Sequence, residues 1–178
     1  MLKGSAMSKP TKLAAGSVFP SISLDLVGGG TVDVALMSGW RMLVVYRGRH
    51  CPLCKKYFKI LDAMADEIKG LGVSVVAASA DSVQKAEADI SEYRWRFPLA
   101  YGLTLDQMKT LGLYISELRP GSKADGPFAE PGLFIVNPDG KLQIVEVSNA
   151  PFARADLNGI LEGLRTITRG DYPIRGTF

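Results

Sequence analysis

Cysteine is scarce in this chain: its 178 residues include two, and a single histidine. Two cysteines cannot staple a domain of this size, which excludes a disulfide scaffold. Long hydrophobic runs are missing too. No stretch approaches the roughly 18 consecutive apolar residues of a membrane-spanning helix. The most apolar runs, residues 42–46 and 73–78, have the length of buried strands. An excess of one charge is also lacking: 21 basic against 18 acidic residues leave +3. That surplus is too small and dispersed to select nucleic acid or a membrane surface. A zinc site would need more ligands than the two Cys and His50 crowded into residues 50–54. Haem attachment is excluded because Lys55, not His, follows Cys54.

What is present describes one globular domain, with 47% hydrophobic and 22% charged residues. Residues 1–16 carry three Lys but no apolar core with a cleavage site, so they read as a flexible leader rather than a secretory signal. Residues 17–178 are expected to form the single domain, and the cytoplasm is the expected location. Residues 22–26 alternate at period two, Gly28, Gly29 and Gly30 turn the chain, and residues 31–34 alternate again, which predicts a hairpin. Residues 42–46 are apolar on both faces, as in a central strand of a covered sheet. Tyr57, Ile60, Leu61, Met64 and Ile68 predict a helix opened by Pro52 and closed by Gly70 and Gly72.

A strand over 73–79 and a helix over 82–93 follow. After them come a short extended piece at 97–103, a short helix at 104–111 and a long loop at 119–130. A hairpin over 133–147 turns at Asn137-Pro138-Asp139-Gly140, and an amphipathic helix over 157–167 closes the pattern. The mixed basic and aromatic string at 93–97 is expected to pack on the sheet rather than stack on nucleotides. The glycines at 28–30 make a hairpin turn rather than a phosphate loop, because a strand follows them.

Both cysteines fall in one tetrapeptide, Cys51-Pro52-Leu53-Cys54, where a buried strand passes into a helix. The free N–H groups of a first helical turn and the positive end of its dipole favour thiolate over thiol. Arg47, Arg49 and His50, with Lys55 and Lys56, are expected to tune the thiolate further in the same direction. The spacing lets the second thiol reach the first and close a small disulfide that reopens by exchange. Cys51 is expected to be the more exposed attacking thiol and Cys54 the buried resolving one.

These residues resemble the thioredoxin-like superfamily, and within it the alkyl-hydroperoxide-reductase and thiol-specific-antioxidant group, the peroxiredoxin-like proteins. The resemblance runs from Val18 to Leu164. It rests on the strand-Cys51-Pro52-Leu53-Cys54-helix unit, Phe97-Pro98-Leu99 with Tyr101-Gly102-Leu103, and the segment from Pro131 to Gly140. It implies an α/β, three-layer α/β/α sandwich with a central mixed sheet and an added N-terminal hairpin. It also implies that Pro131 is a cis-proline facing the cysteines, with Glu130 beside the substrate cleft.

The implied activity is that of a thiol-disulfide oxidoreductase or thiol-dependent peroxidase cycling Cys51 and Cys54. Its substrate would be a peroxide or a protein disulfide, and its electron donor thioredoxin, glutathione or a similar thiol. No metal or organic cofactor, nucleic acid or membrane is implied. In the peroxiredoxin pattern Pro-x-x-x-Thr-x-x-Cys, aligning the attacking cysteine with Cys54 puts Arg47 at the Pro and Cys51 at the Thr. The family's supporting arginine falls at Pro131. In the thioredoxin pattern a buried acid falls at Val45, and the Trp before the first cysteine is His50. Peroxide attack by Cys54 with Cys51 resolving therefore stands as a second mechanism. A non-catalytic redox-sensing binding module, with a partner surface at 119–130 and 171–178, is a reading from another class. The apolar tail is expected to pack on the domain or on a second copy, giving a homodimer in the latter case.

Overall fold

A computed structural model describes residues 11–178. The first hairpin forms as expected, from β1 (Leu24–Leu26) and β2 (Thr31–Val32) around the three glycines. The apolar run at 42–46 becomes β3 (Trp40–Val45), and Tyr46 extends its ladder by donating to the Ala78 carbonyl at 3.0 Å. The helical pattern after the cysteines becomes α1 (Pro52–Ala63) and α2 (Ala65–Gly70). β4 (Val73–Ala78), α3 (Val83–Tyr93), β5 (Leu99–Tyr101) and α4 (Leu105–Thr110) follow. A small pair, β6 (Ile115–Ser116) and β7 (Phe128–Ala129), precedes the hairpin of β8 (Gly132–Val136) and β9 (Leu142–Val147), and α5 (Leu157–Ile167) closes the fold.

The main sheet has seven strands in the order β2-β1-β5-β4-β3-β8-β9. β3, β4 and β5 run parallel, while β8 and β1 pair antiparallel at the two ends of that group. β3 is therefore covered on both faces, and its side chains divide by period two. Met42, Val44 and Tyr46 point into a core shared with Phe58 and Leu61 of α1 and Leu161 and Leu164 of α5. Leu43 and Val45 point into a second core with Met108 of α4, Phe19 and Phe134. This is the three-layer sandwich with a mixed sheet.

Phe58 is fully buried, and its ring centre lies 4.7, 4.9 and 5.2 Å from those of Tyr46, Trp95 and Phe97. Burial of such a ring contributes about 2–3 kcal/mol, and the aromatic contacts add to it. The aromatics of the 93–97 string thus fill the core against α1, as the sequence suggested.

The structure departs from the sequence reading in several places. The one helix expected through Ile68 breaks at Met64, whose amide is shared between the Ile60 and Leu61 carbonyls at 3.2 and 3.1 Å. This tightened turn redirects the chain so that α2 still buries Ile68. The loop at 119–130 ends in β7, which pairs with β6 through Ile115–Ala129 and Ser116–Phe128. Two-residue strands carry too little periodicity to be read from sequence.

The peptide bond before Pro131 is trans, since no peptide bond among the described residues is cis. The extended path is held on both sides, by Glu130 N–H donating to Tyr114 O at 2.8 Å and Ser148 N–H donating to Pro131 O at 3.0 Å. Trans is the lower-energy form unless the surroundings demand otherwise.

Both ends of the described chain lie on the body. In the segment read as leader, Lys12 donates to Gly112 O at 2.7 Å and its ammonium sits 3.3 Å from the Tyr114 ring centre. Gly16 N–H donates to Leu142 O at 2.8 Å. Residues 1–10 lie outside the described residues. The tail returns to its own domain, with Gln143 Nε2 donating to Tyr172 O at 3.4 Å and Thr177 beside Gly16. No helix among the described residues is long and apolar enough to cross a membrane.

Candidate active site

The site is built where β3 leaves the sheet. Four residues, Arg47-Gly48-Arg49-His50, turn the chain into α1, and two backbone contacts set the turn. Cys51 N–H donates to Gly48 O at 3.1 Å, and Arg49 N–H donates to the buried Asp81 carboxylate at 2.6 Å. Cys51 then caps α1 in an extended conformation, Pro52 occupies the first helical position, and Cys54 N–H donates to Cys51 O at 3.2 Å. Pro52 fits there because the first-turn amides have no helical partner to lose.

Both thiols are free, and each residue is only 1% exposed. Exposure therefore does not separate them, contrary to the expectation for Cys51; hydrogen bonding does. The Cys51 thiol is lowered from 9.0 to about 5, chiefly by the hydrogen bond that the Cys54 thiol donates to it. Burial opposes this, while the Cys54 amide and the Arg47 guanidinium reinforce it. Arg47 Nη1 lies 3.7 Å from Cys51 Sγ. Cys54 is pushed far up by donating that same bond and by its burial, with Arg154 pulling the other way. These directions favour a Cys51 thiolate beside a protonated Cys54 in the resting pair.

Arg47 is held from behind. Its Nε lies 3.1 Å from Glu130 Oε2, although the two are not aligned as a hydrogen bond, and its guanidinium covers the Phe128 ring at 4.9 Å. Glu130 is 4% exposed, and its other oxygen accepts from the Ser116 hydroxyl at 2.6 Å. The β6–β7 pair is what brings Ser116 and Glu130 together. A buried carboxylate does reach this site, then, but it acts on Arg47 and comes from a segment far from Val45.

His50 lies edge-on to Phe128 with ring centres 4.7 Å apart, and neither of its nitrogens has a partner. Burial and the nearby Arg47 lower its pKa, so the ring is neutral at physiological pH. Arg49 turns away from the sulfurs: it binds Asp89 at 2.5 Å and Glu92 at 2.6 Å, tying the turn to α3. Asp89 is fully buried and needs a cation, which is why Arg49 is drawn there. Lys55 lies over the Tyr93 ring. Pro131 lies in a small cleft with Tyr57 and Arg154, whereas Glu130 lines a larger groove with Arg47.

Sequence reasoning missed Arg154, whose Nη2 is 3.5 Å from Cys54 Sγ. Nothing in a lone arginine 100 positions away marks it as a partner of that thiol.

An open groove of about 580 Å³ runs beside the turn, lined by Arg47, His50, Arg119, Phe128, Glu130 and Phe152. A second groove of about 520 Å³, lined by Leu61, Lys69, Val75 and Phe97 among others, holds neither cysteine. Neither cysteine lines the first groove either, but it borders the turn through Arg47, whose guanidinium reaches Cys51.

Alkylation of reduced Cys51 is expected to keep its rate down to about pH 5 and to fall below that, as the thiolate is protonated. An ordinary thiol would lose reactivity steadily below about pH 8.5. Rates of iodoacetamide labelling against pH decide this, and a decline beginning near the ordinary value would remove the thiolate from Cys51.

A reduced dithiol at the N-terminus of the helix that follows a central strand of a mixed sheet defines a thioredoxin-like thiol redox protein. The sequence model of the AhpC/TSA family matches residues 15–145. The chain belongs to that family of peroxiredoxin-type, thiol-dependent oxidoreductases. Comparison with curated protein sequences gives no match.

Among solved structures, it is similar to the peroxidoxin BcpB of Mycobacterium tuberculosis. The TM-score is 0.72 at 22% identity over 87% of this chain and 98% of that one. It is also similar to a peroxiredoxin-like protein of Aquifex aeolicus, with a TM-score of 0.73 at 14% identity over 88% and 89% of the two chains. A third is a cysteine-to-serine mutant of the peroxiredoxin 6 of Arenicola marina, with a TM-score of 0.73 at 19% identity over 87% and 73%. At these identities the likeness concerns the fold.

Proposed function

We propose that the protein reduces hydroperoxides with Cys51 as the attacking thiolate and Cys54 as the resolving thiol. The observation that carries this reading is the placement of Cys51 at the N-terminal cap of α1 with Arg47 Nη1 3.7 Å from its Sγ, an arrangement that favours the Cys51 thiolate. The thiolate attacks the outer peroxide oxygen, the S–O bond forms as the O–O bond breaks, and the departing alkoxide takes a proton. The resulting sulfenic acid is attacked by Cys54, the S–S bond forms, and water leaves.

A thiol donor returns two electrons and opens the disulfide. A thioredoxin-type dithiol or glutathione fills that role in this reading, and the need for such a donor favours the cytoplasm. One continuous sheet supports a single domain over residues 17–178. The tail's contacts with its own body favour intramolecular packing over a homodimer built on the tail.

Mapping the first oxidised sulfur tests the reading. With one equivalent of hydroperoxide and a sulfenic-acid trap at short times, the adduct is expected on Cys51. An adduct on Cys54 instead would assign attack to the position that the family pattern marks. Arg47→Gln is expected to slow the peroxide step about tenfold at pH 6, through loss of a charge-assisted contact. An unchanged rate would show that Arg47 serves the groove alone.

A further inference from the structure

We infer that Arg154 is a catalytic residue of the second half-reaction: its guanidinium makes Cys54 the nucleophile that closes the Cys51–Cys54 disulfide. This rests on the assignment of Cys51 as the first attacker. Arg47 and Arg154 divide the pair between them, with Nη1 of the former 3.7 Å from Cys51 Sγ and Nη2 of the latter 3.5 Å from Cys54 Sγ.

Arg154 is built into place. Its Nε donates to Pro151 O at 2.7 Å, and its guanidinium lies over the Tyr57 ring at 4.9 Å. Tyr57 in turn donates through its hydroxyl to Ala155 O at 2.9 Å, so helix α1 and the loop that carries Arg154 grip each other. The turn is further shaped by Ser148, which donates to Ala150 O at 2.9 Å and accepts from Ala150 N–H at 3.1 Å. With Nε used and one face stacked, the remaining N–H groups of a flat guanidinium can still reach the sulfur.

The timing follows from the ionisable groups around Cys54, which are Cys51, Arg154, Arg47 and Tyr46, the last kept uncharged by its burial. At rest the Cys51 thiolate keeps Cys54 protonated. Once the peroxide step has turned Cys51 into a neutral sulfenic acid, that negative neighbour is gone and the two arginines remain. Cys54 then gives up its proton, its thiolate attacks the Cys51 sulfur, the S–S bond forms as the S–O bond breaks, and the leaving hydroxide departs as water with that proton. The same loop lines the substrate groove through Ala150, Pro151 and Phe152.

Two measurements test this, on Arg154→Gln and Arg154→Lys. The first needs no oxidant: the thiolate absorbance of Cys54 is titrated in a Cys51→Ser protein with and without Arg154→Gln. The midpoint is expected to move upward when the guanidinium is removed. The second is single turnover with hydroperoxide. The Cys51 sulfenic acid is expected to live about tenfold longer in Arg154→Gln, to have an intermediate lifetime in Arg154→Lys, and to form at the wild-type rate in both. An unmoved midpoint, an unchanged lifetime, or an equal slowing of both steps would overturn the proposal. Absence of any Cys51 sulfenic acid in the wild type would instead sink the assigned cycle, and the titration would still decide the case of Arg154.

Discussion

Cys51→Ser is expected to abolish hydroperoxide turnover, a loss of at least about a thousandfold, because it removes the sulfur that takes the peroxide oxygen and leaves Cys54 with no partner for the disulfide. Cys54→Ser is expected to behave differently. The serine hydroxyl still fits the helix and can still donate toward Cys51, so one equivalent of peroxide should be consumed in a burst before the protein stalls as the sulfenic acid. A small added thiol should then restore partial turnover by taking the place of Cys54. Steady-state and burst kinetics of the two variants decide the order of events. Peroxide consumption surviving in Cys51→Ser but absent from Cys54→Ser would reverse the roles, and a protein in which neither variant alters consumption would not be a peroxidase.

Gly48→Ala should be among the most damaging substitutions in the site despite adding one methyl group. Gly48 has φ +120, which side-chain-bearing residues rarely adopt, and a Cβ there would lie 2.5 and 2.8 Å from the two oxygens of Asp81. Asp81 cannot simply retreat, because it is buried and accepts the Arg49 amide at 2.6 Å. Backbone strain of about 1–3 kcal/mol combines with this overlap for an expected loss of about 3 kcal/mol. In a chain of this length that corresponds to a melting temperature lower by about 6–12 °C.

Peroxidase activity should fall as well, since the Cys51 amide is anchored on Gly48 O. Gly29→Ala is the comparison: it also has a positive φ, but nothing lies within 4 Å of its Cβ. Thermal unfolding of both variants separates strain from overlap, and equal losses would mean that Asp81 is not the obstacle.

The elements readable in advance are those whose information is local. A continuous apolar run through residues 42–46 marked the central strand, and helical spacing with a Pro start marked α1. A repeat ending at Ile167 located the last helix residue for residue. The small β6–β7 pair escaped, because two-residue strands are defined by their partner across a long loop. Arg49 was assigned to the thiolate from proximity in sequence; a buried acid on α3, invisible to that argument, claims it instead.

Sequence alone determined that this is a redox protein: the only two sulfhydryls stand three residues apart at a strand-to-helix junction, and both local helix chemistry and spacing favour a reversible disulfide. Tertiary structure alone decided which cation serves which sulfur. Charge interactions act through space over a few ångströms, so Arg47 reaches Cys51 from four residues away while Arg154 reaches Cys54 from 100. It also favours the thiolate on Cys51 over Cys54, because the ionisation of two neighbouring buried thiols depends on the groups folded around each one.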